Sequence, residues 1–270
     1  MRSAVIVTTF NRPAFLARSL PQIVAAAKEV GSPVLVVDDG TRWSETRYEG
    51  SRVTIGPSDD TLELMKKILD CGATMLSLPE NRGLAGALNI GLSYWLADPS
   101  IEAIHYFQDD VEVDPLCIAA CNVLLNATAG HCVVTGHDAR EHRERKDLPC
   151  SPDNCFGIYM RGRDSCRATH MAAHVDTWKR VLPIPSRGLG LPSKTIRDVH
   201  RPELRGTGSG VDWWIVRDSP NRLPVLCIPG LVRSFAHKRQ DSTWDNESIG
   251  GEEPPLHRDA IKEWVEALGK

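Results

Sequence analysis

Residues 105–115, "HYFQDDVEVDP", set four carboxylates (Asp109, Asp110, Glu112 and Asp114) behind a run containing the β-formers Ile104, Tyr106 and Phe107. Adjacent like charges at a strand end repel one another, so water, a basic side chain or a divalent cation must compensate them. Three further polar clusters follow apolar runs in the same way: Thr8-Thr9-Phe10-Asn11-Arg12, Asp38-Asp39-Gly40 and Glu80-Asn81-Arg82-Gly83. Any one of these alone is a solvated turn or a helix cap. Four in this order suit a ligand site, because open α/β sheets bind ligands beyond the carboxyl ends of their strands. Downstream, Asp212 precedes two indoles in "GVDWW", Asp176 opens "DTW", and His237 stands beside Lys238 and Arg239.

The segments between these clusters alternate in character. "SAVIVTTF", "SPVLVVDDG", "ATMLSLP" and "IEAIHYFQ" read as strands, with "RVTIG" a further short one. "RPAFLARSLPQIVAAAKEVG" reads as a helix with Pro13 in its first turn and Gly31 as its stop. "SDDTLELMKKILDCG", "GLAGALNIGLSYWLAD" and "DPLCIAACNVLLNATAG" are helical as well, and "HCVVTGH" is another strand. Short apolar strands separated by helices predict βαβ units: an α/β fold with a Rossmann-like, mostly parallel sheet covered on both faces. The back half is less regular, with long turn-rich stretches at 138–166 and 183–210.

At 270 residues, 41% hydrophobic and 25% charged, the chain has an ordinary globular composition. No apolar run approaches the length that spans a bilayer, and the N-terminus reads as a first strand rather than a signal peptide. A cytoplasmic protein without membrane insertion is the expectation. The eight cysteines form no C-x-x-C pair and predict reduced, mostly buried thiols. Cys150, Cys155, Cys166 and His170 cluster in sequence, but at a spacing that matches no common zinc pattern. Charge is uneven. Residues 1–130 hold 10 Lys and Arg against 16 Asp and Glu, residues 131–240 hold 19 against 11, and residues 241–270 hold 3 against 8. A basic middle segment suits either an anionic partner or pairing with the acidic front half.

"VIVTTFNRPAFLARSL", "VLVVDDGT", "NRGLAGALNIGL" and "YFQDDVEVDP" resemble, in order, the motifs of family-2 glycosyltransferases, inverting enzymes with the GT-A fold. "RATHMAAHVDTWKRV", "GSGVDWWIV" and "VRSFAHKRQDST" resemble later segments of that family. The resemblance implies a single domain over 1–270: a nucleotide-sugar-binding half (1–115), an acceptor-binding and catalytic half (116–240), and a tail ending in a helix. It also implies a nucleotide-diphosphate sugar donor, UDP-sugar by default, and Mn²⁺ or Mg²⁺ held by Asp110 and His237. Asp38 and Asp39 would hold the base and ribose. Thr8, Thr9 and Arg12 would line the nucleotide pocket, and Asn81, Arg82, Gly83, Gln108 and Asp109 would approach the ribose and diphosphate. Asp212 is the candidate base, with Asp176 as its substitute, and Trp213, Trp214 and His174 are candidate acceptor contacts. Arg82 has a structural alternative, pairing Asp38 or Asp109.

One position departs from the family pattern. Gln108 stands where a first carboxylate is usual; it can still hydrogen-bond a hydroxyl but carries no charge. Three readings therefore stay open. One is an inverting transferase, with an anionic acceptor such as a hydroxymethylated DNA base, or with a saccharide, lipid-linked or protein acceptor. The others are a nucleotidyltransferase and a non-catalytic nucleotide-binding protein.

Overall fold

The computed structural model describes residues 1–10, 12–41, 46–49, 52–55, 66, 68, 70–137, 161–163, 168–185, 211–218, 223–234 and 258–268. Its strands are β1 (Ser3–Thr9), β2 (Val34–Asp38), β3 (Thr46–Glu49), β4 (Arg52–Ile55), β5 (Thr74–Ser77), β6 (Ala103–Gln108), β7 (Val111–Val113), β8 (Val133–Thr135), β9 (Arg161–Arg163), β10 (His170–His174), β11 (Val225–Cys227) and β12 (Val232–Ser234). The helices are α1 (Pro13–Lys28), α2 (Gly83–Leu96), α3 (Cys117–Ala127), α4 (Val175–Val181), α5 (Val211–Trp213) and α6 (Arg258–Leu268); a π-helical turn, Trp214–Asp218, continues α5.

Eight strands form one sheet in the order β5-β2-β1-β6-β10-β8-β11-β9. β5, β2, β1 and β6 run parallel, and β10 joins β6 antiparallel. Alternation along β1 explains the layering. Val5 and Val7 face a core built with Leu16, Leu20 and Ile23 of α1, Cys117 to Leu125 of α3, and Ile261 and Trp264 of α6. Ala4 and Ile6 face the opposite core, made with Ala85, Leu88, Leu92 and Trp95 of α2 and Trp178 and Val181 of α4. With side chains pointing alternately to the two faces, an unbroken apolar strand requires both faces to be covered. Two indoles fasten the second layer: Trp95 Nε1 donates to the Val5 carbonyl and Trp178 Nε1 to that of Ile104, each at 3.0 Å. Pro13 stands at the start of α1, and the chain turns after it at Gly31 with φ +67°, as the sequence predicts.

From β1 the chain moves outward to β2 on one side and later returns to β6 on the other. Such a reversal opens a crevice at the carboxyl ends of β1, β2 and β6, where the order of the strands switches direction. A two-stranded sheet of β7 and β12 sits directly beyond β6, pairing Ser234 with Val111. Among the described residues, no helix is long and apolar enough to cross a membrane.

Candidate active site at the strand ends

Strand register brings the predicted clusters together. Thr9 pairs with Asp38, Thr8 with Gln108, and Asp38 with Ser77, so four strand ends lie side by side. The loop after β2 is then tied to the loop before α2. Asp39 Oδ1 accepts the Arg82 backbone N–H at 2.7 Å, and Asp38 Oδ1 accepts that of Thr41 at 3.1 Å. Gly40 makes this closeness possible. Its φ is +79°, and a Cβ there would stand 2.6 Å from the Glu80 carbonyl carbon. Burial pushes the Asp39 carboxyl up to about 6, against the lowering pull of the Arg82 and Gly83 backbone N–H groups.

The second acidic pair is held by side chains. Thr9 Oγ1 donates to Asp109 Oδ2 at 2.6 Å. The Arg12 guanidinium spans both carboxylates, with Nη1 3.1 Å from Asp109 Oδ1 and Nη2 2.7 Å from Asp110 Oδ2. A basic side chain thus compensates the charges, supplied by the start of α1. Arg82, offered as a partner for Asp38 or Asp109, instead directs its side chain to Glu80 at 3.5 Å. Burial raises the Asp109 carboxyl, and Arg12 works against that rise. Asp110 Oδ1 is buried and has no hydrogen-bond partner among the described residues. A hard divalent cation takes such an oxygen, so the residues present fit Mn²⁺ or Mg²⁺.

Several expectations change on this geometry. Thr8 and Thr9 are buried and turned inward: Thr8 Oγ1 meets the Tyr106 hydroxyl at 3.1 Å, and Thr9 meets Asp109. With its two oxygens bound by Thr9 and Arg12, Asp109 braces the strand end. Gln108 also hydrogen-bonds Tyr106, whose phenol is raised chiefly by burial and further by Asp109 and Asp110. A third carboxylate at position 108 would add to that repulsion.

His174 and Asp176 do not belong to the site. β10 runs against β6, pairing His170 with Phe107 but His174 with Ala103. Four residues along a strand is about 13 Å, which carries His174 to the opposite end of the strands. There it caps α4, with Nδ1 accepting the Asp176 N–H at 3.4 Å. Asp176 is exposed and paired with Lys179, so the substitute base and this acceptor contact are both withdrawn. Trp214 Nε1 donates to the Val181 carbonyl at 3.1 Å, and its half-buried ring packs on the second core. Asp212 is half-buried in α5. The Trp213 side chain, His237, and Cys150, Cys155 and Cys166 lie outside the described residues.

His170 instead meets two other cysteines. Cys117, Cys121 and His170 offer ligand atoms within 4.8 Å of one another, all buried. Yet His170 Nδ1 accepts the Gly136 N–H at 2.9 Å, which puts the ring proton on Nε2 and leaves neither nitrogen as a metal ligand. Phe10, included in the first cluster without a role of its own, stands 37% exposed where β1 ends.

Residues 55–165 match the family model described as glycosyl transferase family 2. Comparison with curated proteins gives no match. Among solved structures, S. aureus TarS 1-349 in complex with UDP is 13% identical, with a TM-score of 0.50 over 85% of this chain and 60% of that one. The mannosyltransferase PcManGT from Pyrobaculum calidifontis, in complex with GDP-Man and Mn²⁺, is 18% identical over 68% of this chain and 47% of that one, with a TM-score of 0.39. GalNAc-T7 with UDP, GalNAc and Mn²⁺ is 11% identical over 85% and 44%, with a TM-score of 0.46. This chain spans less than two thirds of the length of each of the three, and at 13% identity the likeness to TarS is one of fold. Residues 55–165 are thus similar to glycosyl transferase family 2, and the mostly parallel front sheet covered by helices is a fold shared with S. aureus TarS.

Proposed function

We propose that this protein is a metal-dependent, inverting glycosyltransferase that moves a sugar from a nucleotide-diphosphate donor, by default a UDP-sugar, to an acceptor hydroxyl. One observation carries the reading: Asp110, in the bend between β6 and β7, has a buried carboxylate oxygen that nothing in the described protein satisfies. Asp110 holds Mn²⁺ or Mg²⁺, which when bound neutralises charge gathering on the leaving diphosphate. His237 is the second ligand. In support, β12 pairs Ser234 with Val111, the residue after Asp110, so the chain leaves the small sheet beside the acidic pair three residues before His237.

Asp38 and Asp39 fix the strand-end loop and offer carboxylate oxygens to a base N–H and ribose hydroxyls. Asn81, Arg82 and Gly83 follow on the far side of that loop. Gln108 and Arg12 stand toward the ribose and diphosphate. Asp212 acts as the base: its carboxylate takes the proton of the attacking hydroxyl on the face opposite the departing diphosphate, which inverts the anomeric carbon. Trp213 supplies an apolar face to the acceptor. The acceptor is polyanionic, DNA with a hydroxylated base in the most specific version. In support, residues 131–240 carry 19 Lys and Arg against 11 Asp and Glu, many of them in the two long turn-rich stretches. A hydroxyl on a duplex base would have to be flipped out of the stack to reach a sheet-edge site.

The test is a panel of nucleotide sugars with Mn²⁺ and with hydroxymethylated DNA, glycan, lipid-phosphate and protein acceptors, read by sugar incorporation and by the nucleotide released. Sugar transfer with nucleoside diphosphate release supports the reading. Pyrophosphate release points to nucleotidyl transfer, and donor binding without turnover would return Gln108 to the centre of a non-catalytic account.

A further inference from the structure

We propose that Arg12 is a displaceable internal counter-cation: it holds Asp109 and Asp110 together in the metal-free protein and gives up Asp110 when a divalent cation binds. It then turns to the donor diphosphate, so that metal and nucleotide bind cooperatively. The inference rests on the metal assignment at Asp110 made above. Its warrant is the asymmetry of the two contacts. Asp109 has a second partner in Thr9, which stays on its Oδ2 whatever Arg12 does. Asp110 has Arg12 on one oxygen and, among the described residues, no hydrogen bond on the other, so the guanidinium and a cation compete for the same carboxylate.

Arg12 is also built to move without being lost. Its side chain is a quarter exposed, and the guanidinium carbon lies 4.5 Å above the Phe15 ring. That ring continues to support the cation after it leaves Asp110. The Arg12 backbone is fixed, since its carbonyl accepts the N–H groups of Phe15 and Leu16 at the start of α1. Only the side chain need swing. An arginine forks two oxygens of a phosphate as readily as those of carboxylates, so an incoming diphosphate offers it a second seat. A protein whose Asp110 is occupied by Arg12 nine-tenths of the time binds metal about tenfold more weakly than its free carboxylate would. Donor binding that draws Arg12 away removes the penalty, and metal binding must strengthen donor binding by the same factor.

The experiment is calorimetric titration of Mn²⁺ into the full chain, with and without UDP, for the wild type, Arg12→Gln and Arg18→Gln. Arg18 supplies the control because it is exposed and pairs with Glu112 nearly two turns along the same helix. Arg12→Gln is expected to bind Mn²⁺ alone about tenfold tighter. The ratio of Mn²⁺ affinities with and without UDP should fall by a similar factor, while Arg18→Gln stays within about twofold of wild type. Should Arg12→Gln fail to fold, Arg12→Lys, which keeps the charge but not the fork, should show the same trend to a smaller degree. Unchanged or weaker Mn²⁺ binding in the Arg12 variants, or equal tightening in Arg18→Gln, overturns the proposal and leaves the metal site standing. Absence of Mn²⁺ binding in every protein, UDP included, overturns the metal site itself.

Discussion

The two acidic pairs at the ends of β2 and β6 flank the same strand and are neutralised in different ways. Asp38 and Asp39 are held by backbone N–H groups, from Thr41 and from Arg82. Asp109 and Asp110 are held by side chains, Thr9 and Arg12, with one oxygen left over among the described residues. Backbone donors cannot leave without remaking a loop, so the first pair is fixed whatever binds. Side-chain donors can rotate away, so the second pair can exchange its partner. The β2 end therefore suits the unchanging part of a ligand, and the β6 end suits the place where charge arrives and departs.

The sharpest way to break this contrast is to alter each pair in turn. Asp110→Asn keeps size and one acceptor oxygen but removes the charge a metal needs, and transfer should fall roughly 1,000-fold with little change in melting temperature. Asp212→Asn tests the chemistry apart from the metal. Turnover should fall roughly 100-fold while calorimetric donor affinity stays put; loss of donor binding with near wild-type turnover would remove Asp212 from its role.

Gly40→Ala attacks the fixed pair through its backbone. A Cβ meeting backbone at 2.6 Å, on a residue with φ +79°, has no side chain to push aside. Stability should drop by about 2–3 kcal/mol in urea unfolding, with donor affinity falling as the Arg82 segment shifts. Arg82→Ala, by contrast, leaves the backbone N–H that Asp39 uses, so donor affinity should change only a few-fold.

The fixed pair was more legible in the sequence than the exchangeable one, for a physical reason. "VVDDG" and "ENRG" are local signals, where glycine and a strand's apolar run declare a turn and its place. β1, β2, β5 and β6 follow from the same local patterns and stand in the expected parallel order, whereas "RVTIG" forms an antiparallel pair with β3 outside the main sheet and most of the helix expected over "SDDTLELMKKILDCG" lies outside the described residues. Arg12 was readable as a site residue but not as the partner of Asp109 and Asp110, because that pairing is made across about a hundred residues of chain. His174 and Asp176 were misplaced for a similar reason. Strand direction is a tertiary outcome, and β10 runs opposite to the four strands before it. Periodicity alone cannot tell the two directions apart.

Acidity gives a finer comparison. The Asp39 carboxyl is raised from 3.8 to about 6, so its ionised form costs folding energy: that cost is absent at low pH and sets in as pH rises through 6. His105, buried beside Asn122, is lowered from 6.5 to about 4, so its contribution is present above 6.5 and is lost as pH falls toward 4. Melting curves should therefore fall on the acid side because of His105, with Asp39 partly offsetting the loss between pH 6 and 4. Asp39→Asn should steepen the acid limb. UDP binding should weaken by up to about tenfold per pH unit below 6 if the base and ribose meet the ionised carboxylate, and Asp39→Asn should abolish that dependence. The smallest effect is expected at Phe10: Phe10→Ser should raise the donor KM a few-fold through lost apolar contact and leave kcat unchanged.

The most direct test of the central claim is chromatography of the nucleotides formed when the protein is incubated with UDP-sugars and Mn²⁺, alongside Asp110→Asn and a chelator-treated sample. The account predicts UDP as the nucleotide product in the wild type, with formation lost in both controls. UDP formed at the wild-type rate in chelator and in Asp110→Asn would contradict it.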